Sequence, residues 1–342
     1  MKSAIWTSKS EVQLKELPIP EPYAPDEAVI KVLGCGICGT DVHIFHGEVP
    51  LAKPPVVLGH EIVGEVYKLG SNVKDLKVGD RICVDPVITC RKCEFCQSGR
   101  PNLCDNLTIV GYVRNGGFEQ YTSIPRSHLY KISVEAGLKG GILVETLACV
   151  LNGYDRLGLK AGSSVLILGA GCVGLLWTQL IKHSVSAKIY QTEIVDMRRK
   201  VALELGVDAA INPKKDNLAK RVKNCSPNGV DYIIDATGSA SAIREALPLL
   251  KKGGALMVFG VCPSIETLKI SPFDMFNNEW TILGAKMPPY TMTRAVRIVE
   301  AGIIDSDRLV TNILPLREIK RGFKWFTDAP NKAIKMMIDP WE

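Results

Sequence analysis

Short apolar runs punctuate the second half of this chain at Val165 to Leu168, Lys188 to Thr192, Ala209 to Ile211, Asp231 to Asp235, Ala255 to Phe259 and Thr281 to Ala285. Helical patterns fill the gaps between them, which predicts an α/β region with a doubly wound parallel sheet. Boundary residues agree: Arg198 to Leu205 is closed by Gly206, and Ser239 opens a helix Ala240 to Leu250 before Lys251-Lys252-Gly253-Gly254. The first half reads differently. Ala4 to Thr7, Ala28 to Leu33, Ile62 to Leu69 and Gly79 to Val84 are strand-like and separated by Gly and Pro, as in an irregular β domain. Past Gly284 the pattern is mixed, with a helix near Thr293 to Ala301, and the tail is expected to rejoin the first domain. The expected division is 1–150, 151–284 and 285–342. No repeat and no low-complexity segment argues for a solenoid or a linker.

Composition narrows the function classes. At 342 residues the chain suits two domains of roughly 150 residues each. Its 46% hydrophobic and 23% charged content is that of a globular protein. Val165 to Trp177, the longest apolar run, contains three glycines and falls short of the ~20 residues a spanning helix needs, so no membrane segment is expected. The start lacks the basic and apolar regions of a signal peptide, and a cytoplasmic location is expected. A net charge of +6, with 42 Lys and Arg scattered along the chain, gives no nucleic-acid footprint.

Val165-Leu166-Ile167-Leu168 runs into Gly169-Ala170-Gly171-Cys172-Val173-Gly174, and Leu175 to Ile181 continues as a helix. Strand, G-x-G-x-x-G and helix together form a dinucleotide cradle: the glycines allow a tight turn and close approach to a pyrophosphate, and the helix N-terminus offers donors. Gly169, Gly171, Val173 and Gly174 are the candidate phosphate-side residues. Glu193 ends the next strand, where an acid accepts hydrogen bonds from ribose hydroxyls and repels a 2′-phosphate. NAD(H) is therefore expected over NADP(H). Arg198 is a further candidate cofactor residue, because a guanidinium there tolerates that phosphate; Arg199 is expected on a solvated helix face.

Of eleven cysteines, Cys90, Cys93, Cys96 and Cys104 fall in C-x2-C-x2-C-x7-C within a lobe at about 86–105. Four thiolates at ~2.3 Å form a closed tetrahedral set around zinc, which assigns that ion a structural role. A seven-residue last gap followed by Asp105 does not suit an iron–sulfur cluster. A second set, Cys38 in Gly36-Ile37-Cys38-Gly39-Thr40-Asp41 and His60 in Gly59-His60-Glu61 with an acid, would leave a coordination position open for chemistry.

Cys38-Gly39-Thr40-Asp41, Gly59-His60-Glu61, the four-cysteine lobe, Gly116-Gly117-Phe118 and the G-x-G-x-x-G resemble the zinc-containing medium-chain dehydrogenases/reductases over nearly the whole chain. The resemblance implies a GroES-like catalytic domain beside a Rossmann domain, two zinc ions per chain, and a homodimer or homotetramer. Val144-Glu145-Thr146-Leu147-Ala148 is closest to the polyol branch, whose members carry a glutamate where other alcohol dehydrogenases ligate zinc with cysteine. Carried over, Cys38 and His60 are catalytic-zinc ligands, and Glu61 and Glu145 are acids that ligate directly or through water; which does so at rest is open. Asp41 orients His60 or caps a turn. Thr40 and His43 match a hydroxyl-to-imidazole proton relay.

Hydride leaves a carbinol carbon readily only when its oxygen is negative. Zinc lowering an oxygen acid from about 16 to about 7 supplies roughly 12 kcal/mol, against about 3 to 5 kcal/mol from general-base help. The expected activity is a zinc-dependent oxidoreductase moving a hydride between a secondary alcohol of a polyol, or its ketone, and NAD. The sorbitol-type arginine is absent from Gly284-Ala285-Lys286-Met287-Pro288-Pro289-Tyr290, so the particular polyol is unnamed. The alternatives are an L-threonine 3-dehydrogenase or butanediol-type dehydrogenase on the same framework and, more remotely, a non-enzymatic dinucleotide-responsive zinc protein.

Overall fold

Apolar and small residues along Glu27–Gly36 build the central strand of a seven-stranded sheet. In the computed structural model, which describes residues 1–342, this strand pairs antiparallel with Glu61–Leu69 on one edge. Its other edge is shared: Glu27 to Lys31 pair with Tyr121–Pro125, and Cys35 and Gly36 pair with Lys335–Asp339. Val310–Pro315 runs parallel to Lys335–Asp339 and ends the sheet. Ile30, Val32, Ile62, Ile82, Phe118 and Phe323 are fully or almost fully buried in its core.

This sheet lies in the first of two units, Met1–Ala148 together with Met287–Glu342; the second is Cys149–Lys286. Helix Gly137–Leu157 carries the division between them. That helix is not foreshadowed by the sequence, because Gly137, Gly140 and Gly141 read as breakers. The reason for two of them is close packing. A methyl group on Gly141 would stand 2.4 Å from Val63 Cγ2, and one on Gly140 2.9 Å from Val299 Cγ1.

The second unit holds a six-stranded, all-parallel sheet in the spatial order Ala209–Ile211, Lys188–Thr192, Ser164–Leu168, Val230–Asp235, Leu250–Val258, Thr281–Gly284. The expected doubly wound sheet is present, and its order reverses between Ser164–Leu168 and Val230–Asp235, where such sheets open a crevice for a ligand. Every residue of Ser164–Leu168 is buried, which is why it reads as an unbroken apolar run. One boundary differs. Lys251 to Gly254 are part of strand Leu250–Val258, and the helix expected over Ala240 to Leu250 stops at Ala246. Long-range partners override the local signal: the Lys251 ammonium bonds Asp231, and the Trp280 indole N–H donates to the Lys251 carbonyl at 2.9 Å.

Trp177, on helix Cys172–Ser184, is fully buried and meets Phe259 edge-on at 5.7 Å. Gly153 makes room for it, since a Cβ there would lie 2.7 Å from the indole. No helix of the chain is long and apolar enough to cross a membrane. Truncating the buried ring, Trp177→Ala, is expected to cost about 3–5 kcal/mol. Chemical denaturation followed by circular dichroism checks this.

Candidate functional site

The first cluster is assembled from the turn into helix Gly39–Phe45 and the segment entering strand Glu61–Leu69. Ligand atoms of Cys38, His60 and Glu61 all lie within 4.8 Å of one another. Asp41, fully buried, holds them in register. Its carboxylate accepts the Cys38 N–H at 2.8 Å and the Gly59 N–H at 3.2 Å, and lies 3.2 Å from His60 Nδ1. Both readings of Asp41 are therefore met: it caps the helix and orients the ring. With Nδ1 committed to Asp41, Nε2 is the nitrogen left to a metal.

The glycines of Gly116-Gly117-Phe118 secure the same loop from the other side. The N–H groups of residues 116, 117 and 118 donate to the carbonyls of Val57, Gly59 and Leu58, and a Cβ on Gly116 would stand 2.0 Å from the Gly59 carbonyl oxygen. Gly59 itself has φ +92°, open only to glycine at low cost.

Burial disfavours a charged His60 ring, but the Asp41 carboxylate, Tyr112 and Cys38 outweigh it and raise its pKa well above the usual value. Tyr112 meets the ring edge-on at 5.6 Å, and burial raises its own phenol pKa. No local motif marks it. Thr40 sits beside Cys38, its Oγ1 accepting from the thiol at 3.7 Å, and also hydrogen-bonds Tyr112. His43 is about half exposed and lies 2.6 Å from Glu48 through Nδ1; no hydrogen bond joins it to Thr40.

The two acids differ in placement. Glu61, fully buried, accepts the Thr146 hydroxyl at 2.7 Å and forms an ion pair with Lys335, itself 5% exposed. Glu145, buried on helix Gly137–Leu157, is not in the Cys38–His60–Glu61 set, and its charge falls near Asp85. Burial, followed by Glu145, pushes Asp85 up to about 7, although the Val87 N–H counteracts them. Lys335 and Asp85 are further residues that sequence reasoning missed.

The second cluster is local. Cys90, Cys93, Cys96 and Cys104 bring four sulfurs within 4.8 Å of one another, with Cys90 and Cys104 at 3.5 Å. A tetrahedron with ~2.3 Å arms has edges of about 3.8 Å, so the donor set fits zinc. None of the four forms a disulfide. Backbone amides point at the sulfurs: Cys104 accepts from Cys90 and Asn106, and amides of Lys92 and Cys93 lower the Cys90 thiol to about 6. Burial instead raises Cys96 to about 11.

In the second unit, Gly169 has φ +91°, and a Cβ on Gly174 would stand 2.1 Å from the Gly169 carbonyl oxygen, so these two glycines shape the turn against the helix. Gly171 differs. A Cβ there meets nothing nearer than Arg198 Nη1 at 3.9 Å, which leaves a cradle at the helix start suited to a phosphate. Val173 lies in the first helical turn behind Gly171. Glu193 accepts the Ala170 N–H on one oxygen and the Val195 N–H on the other, each at 2.9 Å. Burial lowers the pKa of Arg198, and the nearby charges of Glu193 and Cys172 oppose that shift. Arg199 does not lie on a solvated face: its side chain is 18% exposed, held by the Glu193 carbonyl and Asp196.

Residues 24–134 match the family model of the alcohol dehydrogenase GroES-like domain, and residues 172–301 that of zinc-binding dehydrogenase. The chain is 32% identical over 319 residues to D-arabinitol dehydrogenase 1 of Uromyces fabae, covering 92% of this chain and 90% of that protein. It is also 32% identical over 328 residues to L-threonine 3-dehydrogenase of Caldanaerobacter subterraneus subsp. tengcongensis, covering 92% and 91%. A solved chain from Sinorhizobium meliloti 1021, described as a zinc-binding dehydrogenase and bound to NADP, superposes with a TM-score of 0.95 at 36% identity over 99% of both chains. With its GroES-like and dinucleotide-binding domains and its cysteine lobe, the chain belongs to the zinc-containing medium-chain dehydrogenase/reductase family.

Proposed function

We propose that this dehydrogenase transfers a hydride between a secondary alcohol of a polyol and NAD, with Cys38, His60 and one of the acids Glu61 and Glu145 holding a catalytic zinc. The observation that carries the reading is the buried cluster of one thiol, one oriented imidazole and one carboxylate, an open donor set separate from the closed four-thiol lobe. When bound, zinc supplies Lewis acidity toward the alcohol oxygen, and the nicotinamide takes the hydride. The chain's residues do the rest. Asp41 fixes the His60 tautomer, Thr40 offers a hydroxyl beside Cys38 to accept the alcohol proton, and His43, poised at the surface on Glu48 and not hydrogen-bonded to Thr40, is the imidazole that would exchange a proton with water. Cys90, Cys93, Cys96 and Cys104 hold the structural zinc.

Gly169, Gly171, Val173 and Gly174 cradle the pyrophosphate, and Glu193 takes the adenosine ribose. Two features support NAD: a carboxylate at the strand end, and its anchoring by two backbone amides, which leaves lone pairs for ribose hydroxyls. Arg198 at the same turn, and the NADP held by the solved Sinorhizobium relative, keep the second coenzyme in the test. The polyol reading draws on the Val144 to Ala148 segment and on the D-arabinitol-oxidising relative. The threonine dehydrogenase at equal identity favours an amino-alcohol substrate as the second reading.

Turnover of D-arabinitol, sorbitol, threonine and butanediol with each coenzyme decides between them; activity on threonine alone would sink the polyol reading. Glu193→Gln is expected to lower kcat/KM with NAD about tenfold, ~1.4 kcal/mol, and to improve NADP relative to it.

Zinc analysis should find about two ions per chain, falling to about one, with loss of activity, in Cys38→Ser. A wild type holding one ion, with full activity in that variant, defeats the mechanism.

Because the His60 pKa is raised, the metal-free ring stays protonated to higher pH than an ordinary histidine. Zinc requires the neutral ring, so its binding must expel that proton. Affinity at this site is therefore expected to fall as pH is lowered below the raised pKa, by about tenfold per unit for the ring's proton alone. Competition with a zinc-sensitive dye across pH measures the slope.

A further inference from the structure

Lys335 and Glu61 meet across the central strand of the first sheet. Glu61 is paired with Gly36 in the register of one neighbour, and Lys335 opens the strand on the other side, two residues before Met337, which pairs with the same Gly36. The contact passes through space that only glycine leaves. A Cβ on Gly36 would stand 2.0 Å from Glu61 Oε2 and 3.0 Å from Lys335 Cε. Both side chains are buried, at 0% and 5% exposure, and Thr146, next to Glu145, donates to the same carboxylate. The Glu61 carboxylate thus lies within 4.8 Å of the other proposed metal donors while a buried ammonium holds it.

We propose that Lys335 is a positioning residue that competes with the metal for Glu61, and so sets how tightly the centre holds zinc and how readily a coordination position opens to the alcohol. This rests on the catalytic zinc at Cys38 and His60. A buried carboxylate needs a counter-charge, and two cations can supply one here: the ammonium and the metal. While Lys335 holds Glu61, zinc keeps a place for substrate. With the ammonium removed by substitution, the carboxylate's strongest remaining partner is the ion, and the fourth position closes.

The test compares wild type, Lys335→Met, Lys335→Arg and the double variant Glu61→Gln/Lys335→Met, which removes both charges together. Zinc affinity is measured by chelator competition, and coordination by the cobalt difference spectrum against Cys38→Ser, which subtracts the four-cysteine lobe. Lys335→Met is expected to bind zinc roughly tenfold tighter, as changes in residues behind metal ligands shift affinity by about 10- to 100-fold. Its cobalt spectrum should shift, and kcat should fall more than KM rises. The double variant should lose that gain and Lys335→Arg should restore the wild-type spectrum, neither of which a purely structural role would produce. Affinity and cobalt spectrum unchanged in Lys335→Met overturn the proposal. If Lys335→Met does not fold, the double variant decides: zinc affinity equal to or up to tenfold below that of Lys335→Arg supports competition, and a tighter value overturns it. A wild type without metal at Cys38 would instead refute the zinc centre itself, a separate outcome.

Discussion

The carboxylate of Asp41 is the contact on which the candidate centre depends. Buried without solvent, it must be met by donors, and it takes three: the Cys38 and Gly59 amides and the His60 ring. One group thereby opens a helix, closes a loop and selects a tautomer. Cys38 and His60 come from segments that the pairing of Gly36 with Glu61 brings side by side, and this shared acceptor fixes how they face each other. The Gly116 to Phe118 amides complete the constraint by fixing the His60 loop from behind.

Charge balance follows from the same burial. Asp41 and Glu61 are the buried carboxylates that meet at the candidate centre, with a raised-pKa His60 and the Lys335 ammonium against them. Exchanging the ring's proton for a dication bound also by a thiolate changes the local charge little. That near-neutrality is what permits ionic groups to persist at 0–5% exposure, where an uncompensated charge would cost several kcal/mol.

What the sequence disclosed follows from how local each signal is. The four-cysteine lobe and the glycine turn are spelled within fifteen and six residues, and the parallel strand Ser164–Leu168 is buried on both faces, so its apolar run stands out. Lys335 lies 274 residues from Glu61, and nothing in Ala333-Ile334-Lys335-Met336 marks a buried ammonium. Tyr112 and Asp85 were hidden for the same reason. Helix Gly137–Leu157 was obscured by glycines whose purpose is contact with Val63 and Val299, partners distant in sequence. The helix expected over Ala240 to Leu250 stops at Ala246 because Asp231 and Trp280 draw the segment that follows into the sheet.

Glu193 shows how a residue type can be right while its environment alters the argument. From sequence it is an acid at a strand end, repelling a 2′-phosphate. In the folded chain it is also a structural acceptor, joining the glycine turn at Ala170 to the start of the next helix segment at Val195. Its charge is therefore fixed in place and partly offset by two amide dipoles, with Arg198 of helix Asp196–Glu204 close enough to feel it. Coenzyme choice at such a site becomes a difference between two opposed charges that act on one another, rather than the presence of one acid. A carboxylate anchored by two amides retains its hydrogen-bonding geometry for ribose, whereas a 2′-phosphate there would place two anions together unless Arg198 met it. The proposed preference for the unphosphorylated coenzyme rests on that asymmetry.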